Sequence, residues 1–129
     1  MTIPRREVLA LFAGAMVTPA RSQGADNMYG LIVKLTAAAG KCEELIGILK
    51  ESSVGMPGCL SYVIAKDSAD ENVIWVTEVW DSQASHDASL SLPAVQNAIP
   101  RAKAVTAAFE RIARTTPVVG VGPGPARGR

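Results

Sequence analysis

The stretch Val73-Ile74-Trp75-Val76-Thr77-Glu78-Val79-Trp80 decides the fold. It is rich in β-branched and aromatic residues and contains neither Gly nor Pro, which marks a strand. Alternation along a strand puts Val73, Trp75 and Val79 on one side and Ile74, Val76 and Trp80 on the other. Both faces are therefore apolar. The helices of a small domain cover one face of a sheet. An isologous partner is the commonest cover for the second, so a homodimer is expected from this strand alone.

On its N-terminal side, Asp67 to Asn72 is a polar loop of hairpin length. It joins the strand to an earlier one, Cys59 to Lys66, in which Leu60, Tyr62 and Ile64 share one parity. Met56-Pro57-Gly58 is a turn. Residues 41–53 read as a helix, with Leu45, Ile46 and Leu49 at helical spacing and Cys42 and Ile48 at the margins. Glu43 and Glu44 in its first turn favour the helix dipole. Gly40 closes the loop before it, and Tyr29 to Thr36 is a first strand.

On the C-terminal side, Asp81 and Ser82 are N-cap candidates for a short helix through about Leu90. Pro93 suits the first turn of another helical piece, which Pro100 interrupts or restarts. From Arg101 to Arg114, the residues Ala102, Val105, Phe109 and Ile112 form a helical stripe. Thr115 to Val121 reads as a last strand. The predicted order is β-α-β-β-α-β, an α+β ferredoxin-like fold of four antiparallel strands with helices on one face.

The ends differ from this body. Residues 1–25 read as an export signal: Arg5-Arg6, an apolar run from Val8 to Val17, then small residues from Ala20. Paired arginines before Val8-Leu9 resemble a twin-arginine leader. The run is shorter than the ~20 residues that span a bilayer. The expected product is periplasmic or extracellular, a domain over residues 27–120 without membrane insertion after cleavage, with a frayed tail at 121–129. The chain carries +1 net, but residues 23–129 hold ten basic and eleven acidic side chains, a net of −1. With no basic stripe, no nucleic-acid partner is expected.

Cys42 and Cys59 are the two cysteines. They flank the first helix, whose ends lie ~18 Å apart. A disulfide needs Cα atoms within ~7 Å. Two buried free thiols are expected.

The segments Pro57-Gly58-Cys59-Leu60-Ser61-Tyr62, Glu78-Val79-Trp80-Asp81-Ser82 and Leu90-Ser91-Leu92-Pro93-Ala94-Val95, in this order, resemble the antibiotic biosynthesis monooxygenase superfamily over residues 28–118. The resemblance implies a dimeric α+β barrel and, among several activities in the superfamily, oxygenation of quinols or polyphenols without metal, flavin or haem. The haem-degrading branch carries Trp, His and Asn where this chain has Ser89, Ile99 and Val33. Haem chemistry is accordingly not expected.

Without a cofactor the aromatic substrate itself must supply electrons to dioxygen. Such a reaction needs an apolar pocket, a base for the hydroxyl proton and donors for the oxyanion. His86 is the single histidine and the natural base. Many relatives place a histidine at the position of Ser89, one turn further along the same helix face. The plainer alternative for His86 is a solvated surface residue beside Asp87. Trp80 and Tyr62 are expected to line the pocket or to pack in the core, with Ser89 and Glu78 beside them. Glu78 is equally a candidate ion-pair partner for Arg101 or Lys103. The function expected is a cofactor-independent monooxygenase acting on a small aromatic substrate with dioxygen. The alternative is a non-enzymatic dimeric module that binds such a molecule.

Overall fold

A computed structural model describes residues 27–120; the leader and the tail lie outside them. The elements are β1 (Tyr29–Ala37), α1 (Cys42–Ser52), β2 (Cys59–Lys66), β3 (Val73–Trp80), α2 (Gln83–Ser89), α3 (Pro93–Ala104) and β4 (Thr106–Thr115). The strands form one antiparallel sheet in the order β2-β3-β1-β4. This is the expected α+β ferredoxin-like fold. Among the described residues no helix is long and apolar enough to cross a membrane.

Register explains how the sheet divides its two faces. Across β1 and β3, Tyr29 pairs with Trp80, Leu31 with Glu78, Val33 with Val76 and Leu35 with Ile74. These residues face the helices. Ile74 and Trp80 have no exposed surface, and Leu45 of α1 closes over the same layer with none either. Burying each such aliphatic side chain contributes about 1.5–3 kcal/mol. A smaller cluster, Tyr29, Leu31 and Trp80 with Met56 and Cys59, fills the end of the sheet beneath α2.

The opposite face is half-covered rather than bare. Ile32, Trp75 and Val79 are intermediate in exposure, and Val63 is exposed. The Trp75 indole donates to Asp67 at 2.8 Å, and the Lys34 ammonium lies 5.9 Å from its ring centre. The half-buried indole thus has its polar atom satisfied.

Three details differ from the sequence reading. The helix expected over Arg101–Arg114 ends at Ala104, and Thr106–Thr115 is the last strand. The stripe misleads because its members serve different elements. Ala102 lies on α3, Val105 turns the chain into the core at 5 % exposure, and Phe109 and Ile112 lie on β4 at 61 % and 48 %. Pairing with β1 overrides the helical spacing. Residues 116–120 then form no strand. Pro100 lies inside α3 without breaking it. Its missing N–H costs about 3 kcal/mol in a helix interior, offset in part by packing through Ala98, which is 5 % exposed. Lastly, a bulge between Cys59 and Ser61 takes Leu60 off the face of Tyr62 and Ile64, leaving it 56 % exposed.

Both cysteines are free, with Cys42 buried and Cys59 half-buried. Cys59 packs against the smaller cluster.

Candidate functional site

Between the helices and the sheet lies a cavity of about 230 Å³. Tyr62 of β2, Glu78 and Trp80 of β3 and Phe109 of β4 line it from the sheet. His86 and Ser89 of α2 line it from above, and aliphatic side chains of α1 and α3 supply most of the remainder. All five residues singled out from the sequence, His86, Trp80, Tyr62, Ser89 and Glu78, therefore meet at one place. A larger open groove runs along the outer edge of β2. Cys59 and Tyr62 are the titratable groups that line it.

Parity and register assemble the floor. Glu78 and Trp80 are two residues apart on one strand face, and Tyr62 is the cross-strand partner of Glu78. The Trp80 indole N–H donates to Glu78 Oε1 at 2.8 Å. Arg101 instead pairs with Glu51, so Glu78 has no salt bridge to the arginine or lysine considered for it. Burial pushes the Tyr62 hydroxyl well above its ordinary value, and the Glu78 carboxylate and Cys59 push it the same way. Tyr62 thus stays protonated and presents a donor.

A tight joint holds α2 in place. Gly58 has φ +86°, and a Cβ there would come within 2.5 Å of Ser85, so only glycine lets the turn approach the helix. The Gly58 carbonyl accepts the Asp81 N–H at 2.9 Å. Ser82, not Asp81, is the N-cap and accepts the Ser85 N–H. His86 and Ser89, three residues apart, then share the face turned to the cavity.

His86 is held on several sides. Its ring meets Trp80 edge-on at 5.4 Å and Tyr29 at 5.3 Å, and Nδ1 lies 3.2 Å from Asp87 Oδ1. Its side chain is 12 % exposed, so the solvated-surface alternative does not describe it. The buried Ser89 hydroxyl donates to the His86 carbonyl at 2.6 Å. Its proton is committed, and toward the cavity it can only accept.

Sequence reasoning missed Tyr29 and Phe109. Tyr29 shares parity with Leu31, Val33 and Leu35, all buried, and that parity was the signal that could have found it. Burial raises its hydroxyl, Arg114 and Arg111 oppose that, and Asp87 and Glu78 add to it. Phe109 was hidden by the helix assigned to its segment. Among the described residues no three of His, Cys, Asp or Glu converge on a point that could hold a metal ion.

Comparison with known proteins fits this geometry. The model of the antibiotic biosynthesis monooxygenase family matches residues 28–101. The chain belongs to that family. A Chloroflexus aurantiacus protein assigned to the antibiotic biosynthesis monooxygenases is 54 % identical. That match covers 76 % of this chain and 100 % of the other, with a TM-score of 0.72. Two more structures assigned to the family share the fold at low identity. The one from Caulobacter crescentus is 19 % identical over 74 % of this chain and 93 % of its own, with a TM-score of 0.67. The one from Nitrosomonas europaea is 16 % identical over 80 % and 100 %, with a TM-score of 0.68. No protein of curated function matches the chain. Membership in this monooxygenase family carries a general monooxygenase-like role, although a fold by itself does not fix a reaction.

Proposed function

We propose that this antibiotic biosynthesis monooxygenase family member oxygenates a quinol or similar polyphenol with dioxygen, using the substrate's own electrons. The observation that carries the reading is the convergence in one apolar cavity of a phenol donor, Tyr62, with two hydroxyl acceptors, His86 and Glu78. A molecule with two ring hydroxyls matches that set. At about 230 Å³ the space exceeds the roughly 150 Å³ that holds a benzene. It is below the roughly 300 Å³ at which drug-sized pockets begin.

In this reading His86 takes the proton of one hydroxyl as general base. Glu78, fixed by Trp80, accepts from the other hydroxyl, and Tyr62 donates to the developing oxyanion. The phenolate passes one electron to dioxygen. The two radicals combine at a ring carbon bearing hydrogen, giving a hydroperoxide. Loss of that hydrogen as a proton and cleavage of the O–O bond release water and leave a carbonyl. Quinol plus dioxygen thus gives hydroxyquinone plus water. All four electrons come from the ring.

Oxygen uptake by the purified metal-free protein over a panel of quinols and naphthols tests this. Consumption above autoxidation is the expected result. Saturable quenching of tryptophan fluorescence with no consumption would instead identify a binding module.

The same reading takes the working form as an exported homodimer. The apolar side chains on the sheet face away from the helices support the dimer, and Arg5-Arg6 before an apolar run supports export.

A further inference from the structure

The contact between His86 and Asp87 is unusual in its placement. Consecutive residues on a helix point about 100° apart and rarely meet. Here the two side chains turn toward each other on α2, bringing Nδ1 within 3.2 Å of Oδ1. Tyr29 and Trp80 flank the ring, so the pair has little freedom to open. The charged or titratable groups that face it from other elements include the Tyr29 hydroxyl from β1, Tyr62 from β2, Glu78 from β3, and Arg111 and Arg114 from β4, which act on Tyr29.

An ionised carboxylate can only accept a hydrogen bond. Its partner nitrogen must then carry the proton, and the other nitrogen of a neutral ring is left with a lone pair. A histidine side chain free in water prefers the opposite arrangement, with the proton on Nε2. A ring in that form would turn a donor toward the cavity and leave two acceptors facing each other at Nδ1 and Asp87.

We propose that Asp87 is the positioning residue of the site: it fixes His86 as the Nδ1–H tautomer, so that Nε2 offers its lone pair to the cavity. The role rests on the reading of His86 as the base. Asp87 touches no substrate and acts through the ring.

His86 is the single histidine, so side-chain ¹⁵N spectra of the uniformly labelled protein report it without assignment. At alkaline pH, the native protein should show protonated Nδ1 and unprotonated Nε2. Asp87→Asn offers Nδ1 a donor as well as an acceptor, so the Nε2–H form should appear in its spectrum. Asp87→Leu should shift the ring toward the Nε2–H form and lower kcat about 10- to 100-fold with KM little changed, as for other groups that orient a histidine. An Nε2–H ring in the native protein overturns the proposal, whether or not Asp87→Leu folds. So does an unchanged Nδ1–H pattern in a folded Asp87→Leu. The tautomer is read without turnover, so failure to consume oxygen counts against the proposed reaction, and a wrong tautomer counts against Asp87 alone.

Discussion

The Glu78 carboxylate and the Trp80 indole are joined along one face of β3 by a 2.8 Å hydrogen bond. Trp80 has no exposed surface. Removing its acceptor strands a buried donor, which costs about 1–3 kcal/mol. Glu78→Ala should therefore lower the unfolding free energy by that amount in urea titrations. Glu78→Gln, which keeps an accepting oxygen, should lose less. Equal stability of Glu78→Ala and the native protein would show that the indole finds another partner.

His86→Ala should reduce the oxygenation rate by about 10²–10⁴-fold, the usual range for a general acid–base group. The comparison belongs at or below neutral pH, where a free quinol stays protonated and needs the base. At high pH the substrate ionises unaided and the difference should shrink. Full activity of His86→Ala at pH 6, with loss in Trp80→Ala or Tyr62→Ala, would assign the work to positioning and desolvation.

Burial raises the Tyr62 hydroxyl, with Glu78 and Cys59 acting in the same direction, from an ordinary value of 10.0. The folded state then holds this proton at pH values where the unfolded chain has released it. Stability from this source is complete below pH 10 and falls as pH rises from there toward the folded value. Urea midpoints should decline through the alkaline range above pH 10. Tyr62→Phe should flatten that decline, leaving the part due to Tyr29 and Cys59, which burial also raises. An identical alkaline slope in Tyr62→Phe would mean that Tyr62 ionises freely.

If the far face of the sheet meets a second copy, sedimentation at micromolar concentration should give a dimer. Trp75→Asp places a charge among Ile32, Val63 and Val79 on that side, and should yield a folded monomer. A native protein that sediments as a monomer would remove the homodimer from the reading.

Replacing Arg5 and Arg6 by Lys should retain precursor in the cytoplasm if export follows the twin-arginine route. Fractionation followed by immunoblotting reads the outcome. Unchanged export would indicate a general secretory signal.

The parts of the fold that sequence revealed are those where local pattern and tertiary role agree. The strands at 59–66 and 73–80 were bounded correctly because β-branched runs end there in turn residues. Strand parity put Glu78 on the face of Trp80, whereas the pairing of Tyr62 with Glu78 needed the β2–β3 register. At β4 the two levels conflict. Ala102, Val105, Phe109 and Ile112 are spaced like a helix, but the open edge of β1 recruits the segment after Val105 as a strand. With the boundary misplaced, Phe109 was unrecognisable as a cavity residue. The contact of His86 with Tyr29 was equally out of reach, because Tyr29 lies far from it in sequence and meets it only through the β1–β3 register.

The cavity wall is uneven in what it contributes to the fold. Trp80 and Ala98 are buried parts of it, whereas Phe109, Leu90 and Ile99 line the same space at 61 %, 41 % and 37 % exposure. Exposed side chains change at little energetic cost, and buried ones do not. The entrance is thus free to drift in shape across generations while the polar floor is held by the requirements of folding. Under the proposed reaction, altering these three peripheral positions would change which substrate enters and leave the chemistry untouched.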